Sequence, residues 1–316
     1  SDLSEGFDAS PFTKNIASAQ QILELWHVET FEGGSGSRGV WLEKRAAQFE
    51  KQNKGIFIMV KTLSLDEFIN KINAQEFPDL ISFGSGIGVN LADKLLPLKD
   101  YSGVKENLAK SGKFNGESLA AAYMFSGYAL ISQTSRIESS PLINALFSSG
   151  EVIKGRKRNT NIYSCVFGAA GLTSAQSAIN LNLANLPLAV YPETQNLTNY
   201  EAYCQFLLGK AKILVATMRD VARIENRIIT GEIDDAVIEA FTNWTDMISY
   251  IAIPKTINAD KLGNAELFID YIMSKNVQTK VADIGLFPAI GKGYSSGVYK
   301  ALEEYYSNVT CPYLFA

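Results

Sequence analysis

The residues able to do chemistry are few, and their spacing closes most reactions. There is one histidine, and it stands in His27-Val28-Glu29, the H-x-E half of a zinc deaminase signature. The P-C-x-x-C half is missing, and one histidine with three scattered cysteines (Cys165, Cys204, Cys311) cannot complete a tetrahedral metal site. No C-x-x-C pair is present, so the thiols read as free and buried. A Ser-His-Asp triad would have to use His27, and no G-x-S-x-G elbow accompanies it. The 33 acidic residues permit a carboxylate pair for glycan hydrolysis. The adjacent pairs Asp234-Asp235 and Glu303-Glu304, however, fall on predicted helices, where neighbours diverge and face solvent. Gly34-Ser35-Gly36-Ser37-Arg38-Gly39 matches the dinucleotide fingerprint G-x-G-x-x-G. Five residues, Glu29 to Gly33, separate it from the preceding strand, and Val60-Lys61-Thr62 ends the next one without the ribose-binding carboxylate. With no GK[ST] either, the loop reads as flexible or ligand-lining.

These residues belong to a chain of 316 residues, 47% hydrophobic and 20% charged, the composition of a globular protein with two domains. A net charge of -4 provides no basic field for nucleic acid or an acidic membrane. The apolar run Leu119–Ile131 is too short to span a bilayer and is broken by Ser126-Gly127. Residues 1–19 are polar and read as a flexible N-terminal tether left after removal of an upstream segment. Seventeen Phe, 14 Tyr and three Trp supply flat side chains for core or ligand stacking.

The positioning elements alternate. Gln21–Val28 reads as a buried strand, Val40–Lys51 as a helix with Leu42, Ala46 and Phe49 on one face, and Gly55–Thr62 as a second strand. Ser64 and Glu67 make an S-x-x-E capping box before Leu65, Phe68, Ile69 and Ile72. Pro78 ends that helix and Asp79–Phe83 is a third strand, so a parallel sheet is expected. Leu119–Thr134 reads as one long strand, and residues 135–161, with Lys154, Arg156, Lys157 and Arg158, as a solvated loop. Helices are expected at Ala175/Ala178/Ile179, after a cap at Asn199, at Ile233/Ala236/Val237/Ala240, at Ala265–Ile272 and at Ala301/Leu302/Tyr305. Ile213–Thr217 and Ile248–Ile253 read as strands.

Several segments, in order, resemble the extracellular solute-binding proteins of ABC importers, the family-1 group of maltose-binding type. They are Ile22-Leu23-Glu24-Leu25-Trp26 before a glycine loop, Pro78-Asp79-Leu80-Ile81, Gly127-Tyr128-Ala129-Leu130-Ile131, Phe206-Leu207-Leu208-Gly209-Lys210-Ala211, Ile251-Ala252-Ile253-Pro254-Lys255, and Gln278 to Pro288. The resemblance departs after Ile131, where no Pro-x-T-W helix start follows, and at Thr217-Met218-Arg219-Asp220, where sugar binders often place an aromatic ring. It implies an α/β, two-lobe periplasmic-binding-protein-like (type II) fold with a hinge and an interlobe cleft. Lobe 1 would be 20–127 plus 255–287, and lobe 2 128–254 plus 288–316. It implies a monomer without cofactor or metal that binds a small solute, a sugar or an acidic sugar, and delivers it to an ABC permease. It would work in the periplasm or lipid-anchored outside the cytoplasmic membrane. The cleft residues it suggests are Trp26, His27, Glu29, Trp41, Phe83, Ser85, Tyr123 and Phe125 from one lobe and Arg219, Asp220 and Trp244 from the other. The competing readings are a nucleotide-dependent oxidoreductase using Gly34–Gly39 and a glycan hydrolase.

Overall fold

A computed structural model describes residues 20–31, 33–133, 165–167, 198–209, 213–240 and 244–315. The alternating start of the chain builds half of a six-stranded sheet. Strand β1 (Gln21–Val28) lies between β2 (Ile56–Leu63) and β3 (Leu80–Gly84), parallel to both. Helix α1 (Arg38–Gln52) links the first two, and the Ser37 hydroxyl caps it by accepting from the Val40 N–H. Helix α2 (Leu65–Asn73) carries the expected capping box, with Ser64 and Glu67 satisfying each other's backbone donors. Its apolar face buries Phe68 and Ile72. Short helix α3 (Glu106–Ser111) and the hairpin of β4 (Lys113–Phe114) and β5 (Glu117–Ser118) follow.

The other half of this sheet comes from distant chain. β3 pairs antiparallel with β11 (Ile248–Ala252), β11 with β6 (Ala121–Phe125), and β6 with β12 (Phe287–Pro288). Helix α6 (Ala259–Ile272) packs on α1, with Phe268 edge-on to Phe49 at 5.2 Å between ring centroids. Helix α7 (Lys275–Gln278) buries the Gln278 amide, which donates to the carbonyls of Tyr123 and Ile272.

A second, four-stranded sheet has the order β10–β7–β9–β8, from β7 (Ala129–Gln133), β8 (Cys165–Phe167), β9 (Ile213–Ala216) and β10 (Ala236–Ala240). Helices α4 (Asn199–Leu207) and α5 (Met218–Ile229) pack against it, and α8 (Gly297–Tyr306) covers β10. The chain passes between the sheets after β6, after β10 and after β12. The first crossing, Ser126–Tyr128, is tied down. Thr245 Oγ1 donates to the Ser126 carbonyl at 2.7 Å, the Tyr128 hydroxyl to Asp246 at 2.6 Å, and the Tyr306 hydroxyl to the Tyr128 carbonyl. A Cβ on Gly127 would lie 2.3 Å from the Tyr306 ring, so this crossing requires glycine.

Four expectations need correction. The expected long strand Leu119–Thr134 is two strands in different sheets. Ala236, Val237 and Ala240 form β10, not a helix, because the segment pairs residue for residue with β7 and pairing overrides a 3.6-residue spacing. Asp234 and Asp235 precede that strand in a bend, and Asp235 accepts from the Ala236 N–H. Glu303 is buried, its carboxylate accepting from the Gly293 and Tyr294 N–H groups, while Glu304 stays exposed. β11, expected in the second lobe, belongs to the first sheet. The tail expected there also returns, with Leu314 N–H donating to the Ser111 carbonyl and Phe315 against Phe114. The helix at Ala175–Ile179 and the basic cluster Lys154–Arg158 lie outside the described residues, as do the 1–19 tether and Lys210-Ala211. Among the described residues no helix is long and apolar enough to cross a membrane.

Candidate functional site

A cavity of about 460 Å³ opens where β1 runs out into α1. His27, Glu29, Thr30, Phe31, Gly33, Ser37, Arg38 and Gly39 line it from the side of the first sheet, and Asn199 and Arg219 from the helices on the second. Parallel strands place ligands at their carboxyl ends, where the following helices begin, and this cavity has that position. Each half offers helix N-termini. Ser37 caps α1, Arg38 and Gly39 open it, Asn199 opens α4 behind its Thr198 cap, and Arg219 is the second residue of α5.

A buried polar network forms one wall. His27 Nδ1 and Ser82 Oγ share a hydrogen bond of 2.9 Å, and Ser82 Oγ shares another of 2.7 Å with the Tyr123 hydroxyl. Arg38 Nη1 donates to Ser249 Oγ at 2.8 Å, while Nε and Nη2 grip the Phe31 carbonyl at 3.1 and 2.6 Å. The network joins β1, β3, β6 and β11 to the first turn of α1, so the wall is held rigid by residues far apart in sequence. Burial first, and then the positive charge of Arg38, hold the His27 imidazole well below its usual range, so it is neutral at pH 7. Burial pulls Arg38 down to about 10, opposed by Tyr123 and Glu29, and the guanidinium remains charged. Burial raises the Tyr123 phenol. The guanidinium of Arg38 also lies 3.9 Å from the Phe31 ring centroid, a cation–π stack that fixes an aromatic ring on the cavity wall.

The glycine loop, expected to be flexible or ligand-lining, is packed, and its Gly33, Ser37, Arg38 and Gly39 line the cavity. Ser35 N–H donates to the Ile284 carbonyl at 2.9 Å. A Cβ on Gly34 would lie 2.5 Å from the Gly285 carbonyl oxygen, and one on Gly36 2.8 Å from the Ile284 side chain. Gly34 and Gly36 therefore let the loop dock on residues 284–285 and do not face a pyrophosphate. Among the described residues no group of three His, Cys, Asp or Glu could hold a metal ion.

Of the residues suggested from sequence, His27, Glu29 and Arg219 come together in the cavity. Strand alternation sends Trp26 to the opposite face, where its ring meets Phe68 edge-on at 6.4 Å and its N–H donates to Glu24. Trp41 is buried, stacks on Tyr123 and donates to the Lys280 carbonyl. Phe83 and Phe125 are core, against Tyr250 and Phe287. Tyr123 acts behind the wall through Ser82. Ser85 follows β3 outside the lining. Asp220 is fully buried, accepting from the Thr217 N–H at 3.2 Å and pairing with Arg223 at 3.3 Å, so it serves its own helix. Trp244 is half-buried and bridges to Thr310, away from the cavity. Sequence reading missed Thr30, Phe31, Ser37, Arg38, Gly39 and Asn199 as individual contacts. Their signal was the cap-plus-glycine chemistry of two helix starts, which reads as structure until the two starts are seen to face each other.

The whole-chain comparisons agree on the architecture. No protein-family model matches the chain, and no curated protein matches it in sequence. The sugar-binding protein MalE from the phytopathogen Xanthomonas citri matches with a TM-score of 0.67 at 14% identity, over 92% of this chain and 87% of that one. Maltose-bound MalE3 of T. maritima matches at 0.63 and 14%, over 92% and 89%. The GacH receptor of Streptomyces glaucescens GLA.O, solved unliganded and with acarbose, matches at 0.62 and 12%, over 93% and 88%. At such identities the likeness is one of fold, and the fold is that of the two-lobe binding proteins.

Proposed function

We propose that this chain is the extracellular solute-binding component of an ABC importer, closing two lobes on a small carbohydrate and handing it to a membrane permease unchanged. The observation that carries the reading is the cavity, whose polar lining comes from both halves of the molecule. Its size suits a mono- or disaccharide. His27, Glu29, Thr30, Ser37 and Asn199 offer donors and acceptors for hydroxyls, and Phe31 a ring face for a pyranose. The neutral His27, its Nδ1 already bonded to Ser82, and the packed glycine loop argue against hydrolytic and nucleotide chemistry. Similarity in fold to proteins that bind maltose and acarbose supports the ligand class. The lobes would be the first sheet with α1–α3, α6 and α7, and the second with α4, α5 and α8, the tail 311–315 staying with the first. Transport outside the cytoplasmic membrane, through a periplasmic or lipid-anchored form, follows from this role.

A thermal-shift screen with sugars, uronates and other metabolites tests it. A cognate solute at 100 times its Kd should add about 2.7 kcal/mol of stability. A panel in which nothing shifts the melting point, or in which a glycoside is turned over, would overturn the reading.

A further inference from the structure

The neutral imidazole of His27 carries one proton, on Nδ1 or on Nε2, and the choice decides what it can recognise. The wall takes Nδ1, which shares its hydrogen bond with Ser82 Oγ. No hydrogen bond reaches Nε2 among the described residues, and His27 lines the cavity, so Nε2 is the nitrogen left for a solute. The adjoining Cδ2 lies 3.4 Å from where a Cβ on Gly39 would stand, and Gly39 lines the same cavity.

The proton is placed by a chain of hydroxyls that begins at Arg38. A guanidinium has donors and no acceptor, so the 2.8 Å bond from Arg38 Nη1 to Ser249 Oγ runs one way only. The Ser249 oxygen therefore faces the positive charge, and its proton points away from it. Ser249 also bonds the Tyr123 hydroxyl, which lies 2.7 Å from Ser82 Oγ, and Ser82 Oγ lies 2.9 Å from His27 Nδ1. Ser249, Tyr123, Ser82 and His27 sit on β11, β6, β3 and β1, four strands that neighbour one another in the first sheet, and all four side chains are buried. When Ser249 donates to Tyr123, Tyr123 to Ser82 and Ser82 to Nδ1, every hydroxyl proton has an acceptor. The reverse order, starting from a protonated Nδ1, strands the Ser249 proton against a buried cation, which is costly away from water.

We infer that Arg38, acting through Ser249, Tyr123 and Ser82, fixes His27 as the Nε2–H tautomer, so that the imidazole meets a solute as a hydrogen-bond donor. His27 is then a specificity-determining residue of the cleft, and Arg38 the positioning residue for it. The donor requires an acceptor in the solute, a hydroxyl, ring or glycosidic oxygen, and it opposes an ammonium group. The same guanidinium grips the Phe31 carbonyl and stacks on its ring, so one side chain aligns both the donor and the ring face. The recognition role rests on the solute-binding reading above and deepens it; the tautomer does not depend on that reading.

Because the chain has one histidine, nuclear magnetic resonance reads the tautomer directly. In isotope-labelled protein at pH 7 without solute, long-range proton–nitrogen correlation should show a protonated Nε2 and a bare, hydrogen-bonded Nδ1. A protonated Nδ1, or an averaged mixture, would overturn the inference. Ser82→Ala removes the last donor of the chain, so the Nδ1 resonance should move downfield toward that of a free acceptor. An unmoved resonance would show that the hydroxyl chain does not reach His27, and would overturn it too. The same signals are then followed during titration with maltose, cellobiose, xylobiose and chitobiose, with calorimetry in parallel. A disaccharide that binds should shift the Nε2–H proton and leave the tautomer unchanged. His27→Phe, which keeps a ring and loses the donor, should weaken that binding about tenfold. Binding that leaves the Nε2–H resonance in place would remove the recognition role and spare the solute-binding reading. An Nε2–H tautomer in a protein that binds no solute of this panel or of the wider screen would overturn the solute-binding reading, and the recognition role with it.

Discussion

At the scale of single residues, the cavity wall depends on groups whose charge states are set by burial. His27 is the chain's one histidine, which makes its titration separable. Its folded pKa is depressed, so the unfolded state takes up the proton first. Stability is fully present above the unfolded value of about 6.5 and is lost as pH falls toward the folded value, by up to about 1.4 kcal/mol per pH unit. Urea melts at pH 7, 6 and 5 should show this slope, and His27→Gln should remove it; an identical slope in the variant would contradict the buried neutral imidazole. Trp41 and Arg219 should divide cleanly. Trp41→Ala empties a core position beside Tyr123 and should cost about 3–5 kcal/mol of stability. Arg219→Ala should leave stability within about 1 kcal/mol and reduce affinity for the best solute by about 2–4 kcal/mol. Paired denaturation and calorimetry check both; a loss of affinity confined to Trp41→Ala would reverse the assignment.

At the scale of elements, local signals worked where local energy decides and failed where pairing does. The capping box at Ser64 and Glu67 was legible because its two hydrogen bonds lie within four residues. Ser64→Ala should therefore cost about 1 kcal/mol in thermal unfolding and leave binding untouched, since α2 lies on the far face with Trp26. A change in solute affinity would mean that α2 is coupled to the cleft. β10 was misread because Ile233, Ala236, Val237 and Ala240 fit a helical stripe, whereas the energy that decides is the ladder to β7. Helix α5 escaped notice because Met218–Ile229 carries Arg219, Arg223 and Arg227 among its apolar residues, which reads as a polar stretch until its buried side is seen against the second sheet.

At the scale of the whole molecule, the proposed closure would pivot at the crossings between the sheets. Closure of the lobes on a bound solute should lower the radius of gyration seen by small-angle scattering. A tight solute that leaves the scattering curve unchanged would remove the hinge while sparing the binding role. Gly127 sits in the first crossing with the Tyr306 ring against it, so Gly127→Ala should destabilise by about 1–3 kcal/mol through overpacking. Chemical denaturation of this variant checks the packing at the crossing, and unchanged stability would show that the contact can yield.

The sequence by itself determined the alternating β/α start and the core stripes of α2 and α6. Those are written in periodicities of two and 3.6 and in caps, all within a few neighbouring residues. Which face of β1 meets the cavity was not so written: Trp26 and His27 are adjacent, and one register step decides that the histidine lines the cleft and the tryptophan the core. Nor was the pairing of Arg38 with Ser249, 211 positions away, or the meeting of Arg38 and Arg219 across one cavity. Only the tertiary structure decides such encounters, because a contact between distant segments depends on the order of strands in two sheets and on how their helices begin, and no short window of sequence contains either.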